Sequence, residues 1–259
     1  MATSIQFLGT GGGRFVILSQ KRYTGGLWIE SNGKNFLVDP GPGALIRALQ
    51  FGRDPKKLNA VLVSHNHLDH YNDAEIMLEG MTAGLQKPKG TLLMNKNVAP
   101  YVSDYHKSYV TTKLFDSPET FKLDGIEVDT IPTYDHENAF GFKFHTKQGI
   151  ITYASDTNYN DALVDHYTGS DILILNVLRP TGKKIMKHLT AGEAHKLIEQ
   201  SKPKKAVLNH FGQLMLQAGP ARIAADIEKK TGVESIAAKD GQVIELGGKK
   251  KPQKSILNY

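Results

Sequence analysis

The chain contains no cysteine. Disulfides, thiolate zinc sites and cysteine nucleophiles are therefore all excluded. Long apolar runs are also missing. None approaches the roughly 18 residues needed to cross a bilayer. The opening MATSIQFLGTGGG lacks the basic start and apolar core of a secretion signal. The expectation is a soluble, cytoplasmic protein without membrane contact. Internal repeats and low-complexity linkers are absent too. Charge of one sign is only mildly in excess, at +6, and four of the lysines sit together in GGKKKPQK, residues 247–254. No aromatic residue interleaves with them, so base stacking is not indicated there. A solvated tail is the plain reading, and contact with an anionic polymer is the sharper one. With 259 residues, 40% hydrophobic and 22% charged, the rest has the composition of one globular domain. We expect that domain over residues 1–246, followed by a basic tail over 247–259.

Periodicity gives a coarse order of elements. SIQFLGT reads as a strand running into Gly11-Gly12-Gly13. GLWIE and NFLVDPG flank Ser31-Asn32-Gly33, and an Asn-Gly between apolar runs predicts a hairpin. NAVLVSH, TLLMN, DILILNVL and KAVLNH read as buried strands. DAEIMLEGMTAGL, VAPYVSDYHKSYV and PARIAADIEKKTG read as helices, as does TAGEAHKLIEQ, where Thr190 and Glu193 make a capping-box pattern. TFKLDG, IEVDTIPTYDH, AFGFKFHTKQG and IITYASDT form a strand-rich middle, and VESIAAKDGQVIEL reads as a closing hairpin. Strands cluster, with helices between and after them. The fold class this implies is α/β: two mixed sheets packed face to face with helices outside, four layers in all. Tyr101, Tyr105 and Tyr109 recur at i, i+4, i+8 on one predicted helix. Packing is the first reading of that stripe; a cleft wall or a homodimer contact is the alternative.

The densest chemistry lies in Ser64-His65-Asn66-His67-Leu68-Asp69-His70, with four candidate ligands inside six residues. They follow a buried strand, on a turn entering a helix. Imidazole and carboxylate suit zinc, manganese or iron. Alternate residues of extended chain point opposite ways, so His65 and His67 can share one ion while Asp69 and His70 turn toward a second. His136, Asp156 and His210 each end an apolar run elsewhere and complete a set for two ions. Taken singly, each would be an ordinary strand-end residue.

With LGTGGGR, VDPG, SHNHLDH, His136, SDT at 155–157, KHLT at 187–190 and LNHFG at 208–212 in this order, the chain resembles the metallo-β-lactamase superfamily over nearly its whole length. The resemblance implies an αββα sandwich with the site along one edge. It implies His65, His67 and His136 on one ion, Asp69, His70 and His210 on the other, and Asp156 bridging. Asp39 of VDPG corresponds to a buried aspartate beneath the site that orients ligand groups. Two divalent ions, zinc by default and manganese or iron as alternatives, would hold a bridging water and bring its pKa toward neutrality. LGTGGGR lacks the G-x-x-x-x-G-K pattern of a phosphate loop and is read as a tight turn near the cleft.

Within the superfamily the chain looks most like the ribonuclease Z and small phosphodiesterase branch. The glycine-rich start, an aspartate at 156 and the separate His188 carry that likeness. In that branch a histidine of an H-L-T segment protonates the leaving oxygen, which makes His188, with Asp69, the candidate catalytic pair. A general acid matters because the leaving alkoxide is poor. One departure stands out. Only 19 residues separate His136 from Asp156, and 31 separate Asp156 from His188, so the long arm that grips transfer RNA has no room. The expected substrate is therefore a nucleic acid (RNA or DNA) or a small or cyclic phosphodiester. Hydrolysis of a lactone, ester or β-lactam at the same site is the first alternative, and a metal-binding protein without turnover the second.

Overall fold

The computed structural model describes residues 2–136 and 138–247. Of the expected basic tail, all but Gly247 lies outside the described residues.

Among the described residues, fifteen strands build two sheets. β1 (Thr3–Phe7), β2 (Leu27–Ser31), β3 (Lys34–Val38), β4 (Leu58–Val63), β5 (Thr91–Asn95) and β6 (Thr111–Phe115) form the first. β7 (Thr120–Leu123), β8 (Ile126–Pro132), β9 (Phe140–Thr146), β10 (Gly149–Tyr153), β11 (Ile172–Arg179), β12 (Leu189–Thr190), β13 (Lys205–Asn209) and β14 (Glu234–Ala237) form the second. β15 (Val243–Leu246) returns to the first sheet, giving the order β15-β1-β2-β3-β4-β5-β6 against β14-β13-β11-β10-β9-β8-β7, with β12 beside β11. Both sheets are mixed: β1, β2 and β3 are antiparallel neighbours, whereas β3, β4, β5 and β6 run parallel. The hairpin at Ser31-Asn32-Gly33 is present, with positive φ at Asn32 (52°) and Gly33 (76°), as a two-residue turn of matching twist requires.

Strict alternation places the core. On β11, Ile172 and Ile174 face the opposing sheet while Leu173, Leu175 and Val177 face helices; on β4, Ala60 and Leu62 face inward and Val61 and Val63 outward. These strands are covered on both faces, which is why they read as continuous apolar runs. Phe36 and Phe144 meet across the sandwich with ring centroids 6.0 Å apart. Helices Ala44–Gln50 and Ala74–Met81 cover the first sheet, and Leu163–Tyr167, Ala191–Ser201, Gln213–Ala218 and Pro220–Thr231 the second. The four-layer sandwich follows. The capping box at Thr190 and Glu193 forms in both directions, fixing where helix Ala191–Ser201 starts. No helix among the described residues is long and apolar enough to cross a membrane.

Two local expectations fail. The closing hairpin does not form, because β14 pairs in parallel with β13 while β15 pairs with β1 in the other sheet. Asp240 between them anchors the crossover: its carboxylate accepts from Thr10 N at 2.9 Å, Thr10 Oγ1 at 2.6 Å and Tyr23 N at 3.0 Å. The helix predicted across residues 98–110 is also broken. A single 3₁₀ turn, Ala99–Tyr101, gives way to extended backbone at Val102, and Ser103 then caps the short helix Asp104–Lys107. The three tyrosines do not share a helix.

Candidate metal centre

The site lies where strands of both sheets end. Val63 closes β4, Ser64 and His65 follow, and extended His67 precedes the short helix Leu68–Tyr71 that carries Asp69 and His70. Asp39 follows β3, His136 lies beyond β8, Asp156 beyond β10 and His210 directly after β13. The backbone turns sharply at these exits. Asp39, Asp135, Ser155, Lys187 and His210 adopt φ of 52°, 52°, 58°, 71° and 60°, so each of Asp39, His136, Asp156, His188 and His210 is, or directly follows, a left-handed non-glycine residue. Such residues cost on the order of 1–3 kcal/mol each and persist only where the surroundings dictate them. Here they swing a side chain off the strand direction into the gap between the sheets.

The structure brings the sequence-predicted residues together. One ligand atom each from His65, His67, His136 and Asp156 lies within 4.8 Å of the others; the same holds for Asp69, His70 and His210, and for Asp156, His188 and His210. Asp156 links the groups. Its Oδ2 is 3.3 Å from His70 Nε2, 3.4 Å from His188 Nδ1 and 3.8 Å from His65 Nε2, and its Oδ1 is 3.6 Å from His210 Nδ1. Asp69 Oδ2 sits 3.2 Å from His210 Nε2 and 3.9 Å from His70 Nε2, and accepts from Gly13 N at 3.3 Å. His188 belongs to the third group, so it stands as close to Asp156 as the candidate ligands do.

Hydrogen bonds beneath the cluster fix which imidazole nitrogens face it. Asp39 accepts from Ser64 N and Ser64 Oγ at 2.7 Å, and from Tyr153 OH at 2.8 Å. His70 Nδ1 lies 2.8 Å from the same carboxylate, so its Nδ1–H donates there and Nε2 is the nitrogen turned to the site. Ser64 Oγ, having given its proton to Asp39, accepts from His65 Nδ1 at 2.9 Å, which leaves His65 Nε2 bare. One carboxylate thereby sets two tautomers. Asn176 Nδ2 donates to Asp156 Oδ1 at 2.8 Å and holds that carboxylate from below.

The donor set fits divalent cations. Six buried atoms here have no hydrogen-bond partner: His65 Nε2, both ring nitrogens of His136, Asp156 Oδ2, His188 Nδ1 and His210 Nδ1. At about 1–3 kcal/mol each, unpartnered groups on this scale would rival the whole roughly 5–15 kcal/mol stability of a domain. Lone pairs of nitrogen and oxygen aimed at one place suit a metal, not a core. Room is made deliberately: a Cβ on Gly12 would lie 2.2 Å from His210 Nδ1.

Electrostatics agree with ligation. Burial, reinforced by the His70 charge, holds His65 well below the ordinary imidazole value, and burial likewise lowers His67 and His188. Burial also brings His136 down to about 4. These rings stay neutral, as ligands must. Burial would raise Asp156 and Asp69, but the neighbouring histidine charges outweigh it and both carboxyls lie well below their ordinary range. Burial would lower His70, yet Asp156, Asp69 and Asp39 together push it well above. In the metal-free cluster, His70 carries the positive charge that the carboxylates demand.

Sequence reasoning missed Ser64, Tyr153, Asn176 and Gly12. Asn176 carried a legible signal, a lone amide inside the apolar run ILILNVL. Ser64 and Tyr153 carried none, since both are ordinary at strand ends. Beside His67 and His136 opens a cleft of about 380 Å³, with Tyr101, Lys96 and Lys187 on its walls.

Comparison with known proteins adds a family-level likeness. The family profile described as "Beta-lactamase superfamily domain" matches residues 34–211. An uncharacterized protein of Methanocaldococcus jannaschii is 36% identical over 271 residues, covering 98% of this chain and 99% of its own. Among solved structures, a diphosphatase of the PhnP family superposes with a TM-score of 0.72 at 22% identity, covering 95% of this chain and 98% of its own. Human tRNase Z, short form, superposes with a TM-score of 0.72 at 19% identity, covering 94% and 99%. At these identities the two structures attest the fold alone.

Proposed function

The chain belongs to the β-lactamase superfamily and is a metal-dependent hydrolase, and on that premise we propose that it cleaves phosphodiesters with two divalent ions, zinc by default. His65, His67 and His136 would hold one ion, Asp69, His70 and His210 the other, and Asp156 would lie between. Bound there, the ions would supply activated water and polarisation of the substrate. The single observation that carries this reading is Asp156, whose two oxygens are approached by nitrogens from both ligand groups.

The chain's own residues account for the remaining chemistry. Asp39, through Ser64 and directly, keeps His65 and His70 in the ligating tautomer. His188 is half-buried, with its Nδ1 3.4 Å from Asp156 Oδ2 and no hydrogen-bond partner. Kept neutral by burial, it could take up a proton within the site and pass it to the departing oxygen of a bound substrate. Lys96 and Lys187 line the adjoining cleft with Asn66, Asn97 and Asn138. That polar, cationic wall suits an anionic ester better than the acyl part of a lactone or β-lactam.

The test offers metal-loaded protein three substrates: bis(p-nitrophenyl) phosphate, a lactone and a chromogenic cephalosporin. Phosphodiester turnover that collapses in His188→Ala while both metal equivalents persist is the expected result. Turnover of the carbonyl substrates alone would overturn the reading, and loss of a metal equivalent in His188→Ala would make His188 a ligand instead.

A further inference from the structure

The cleft beside His67 and His136 is asymmetric in a way that hydrolysis of an arbitrary phosphodiester does not require. Its volume of about 380 Å³ falls at the small end of ligand clefts, roughly 300–1,000 Å³. That is room for one nucleotide-sized group, not for the body of a folded nucleic acid. On one wall stands Tyr101, which the broken helix frees from any packing stripe. Its residue is 54% exposed. It is nonetheless braced, by the Tyr71 ring at 5.3 Å and 44°. A held aromatic ring with an open face in an otherwise polar cleft is what a stacked base needs.

Two lysines, Lys96 and Lys187, make the same cleft cationic. Lys96 is already engaged with Asp116 at 2.6 Å. Lys187 has no carboxylate within ion-pair distance among the described residues, and it immediately precedes His188. Its left-handed backbone, φ 71°, turns the chain sharply just before His188. It lines the same cleft as His67 and His136, two of the candidate metal ligands. Asn66 and Asn97 line the cleft as well.

Granted the phosphodiesterase reading, we propose that this cleft is a nucleoside subsite: it takes the nucleoside on one side of the scissile phosphodiester, the base stacked on Tyr101 and the phosphate anion held by Lys187. The ligand chemistry is a base, a sugar and a phosphodiester, whether from a small nucleotide ester or from the end of a single strand.

The experiment compares two esters with the same leaving group on metal-loaded, full-length protein: the p-nitrophenyl ester of thymidine 5′-monophosphate and methyl p-nitrophenyl phosphate. The wild type should prefer the nucleoside ester in kcat/KM. Tyr101→Ala should cut that preference about tenfold, through KM, and Tyr101→Phe should keep it, since stacking needs the ring and not the hydroxyl. Lys187→Ala should lower kcat/KM for both esters and leave their ratio in place. An unaltered ratio in Tyr101→Ala overturns the subsite. Equilibrium binding of thymidine 5′-monophosphate separates the two levels of inference. If neither ester turns over, yet the monophosphate binds wild type and not Tyr101→Ala, the phosphodiesterase reading falls and the subsite stands. If the methyl ester is hydrolysed as well as the nucleoside ester, the subsite falls alone. A single-stranded oligonucleotide cleaved with the same Tyr101 dependence would assign the nucleoside to a strand end; preference for the mononucleotide ester would assign it to a small molecule. Either sustains the subsite.

Discussion

Replacing Asp39 by asparagine isolates what one buried carboxylate contributes. The backbone there is left-handed, φ 52°, which asparagine tolerates as well as aspartate, so shape and chain conformation are preserved. What changes is acceptor capacity. Four donors converge on the carboxylate at 2.7–2.8 Å: Ser64 N, Ser64 Oγ, Tyr153 OH and His70 Nδ1. An amide offers one oxygen. If it keeps Ser64 N, its NH₂ confronts the other three. The two hydroxyls can rotate and accept, but His70 can accept at Nδ1 only with a proton held on Nε2 alone, the atom that faces Asp69, Asp156 and His210. Each hydrogen bond to a charged group is worth about 1.5–3 kcal/mol, and partial replacement leaves a loss of roughly 2–4 kcal/mol in metal-free stability. Loss of the group that orients a metal-bound imidazole typically costs about 10–100-fold in metal affinity. Urea unfolding of chelated protein and a chelator-competed zinc titration measure the two effects. Metal affinity within twofold of wild type, with an unmoved urea midpoint, would refute the idea that Asp39 sets the His70 tautomer.

Other perturbations follow from the same geometry. Gly12→Ala places a methyl 2.2 Å from His210 Nδ1, so elemental analysis should find the His210 ion depleted while far-UV circular dichroism is retained. His136 sits at about 4 in the fold against an ordinary 6.5; the unfolded ring takes its proton first as pH falls, so metal-free stability should drop between pH 6.5 and 4, by up to about 3 kcal/mol from this group. Urea midpoints should therefore fall less steeply with acid in His136→Gln than in wild type. Phe144→Ala empties a fully buried position between the sheets and should cost about 3–5 kcal/mol by denaturant titration.

Local pattern revealed those parts of the fold whose causes are local. The Asn32-Gly33 turn and the Thr190–Glu193 box each hold within a few residues, and each forms where its sequence places it. The closing hairpin failed because its direction is set by Asp240 reaching Thr10 and Tyr23, partners more than 200 residues away. The helix around Tyr105 failed because Pro100 and Ser103 start new turns inside an otherwise helical spacing. At the site, His65 to His70 stood out by density alone. Ser64 and Tyr153 could not, because their part is only to face Asp39, and nothing in a strand-end serine or tyrosine tells which carboxylate it will meet.

The candidate ligands divide by sheet. His65, His67, Asp69 and His70 leave the first, while His136, Asp156 and His210 leave the second. Any ion bound among them is therefore a staple across the seam, added to the Tyr153–Asp39 hydrogen bond that already crosses it. Stripping the ions would leave each sheet intact and unclasp this one edge. Amide exchange should then quicken first in the loops after β4, β10 and β13, while the Phe36–Phe144 interior stays closed.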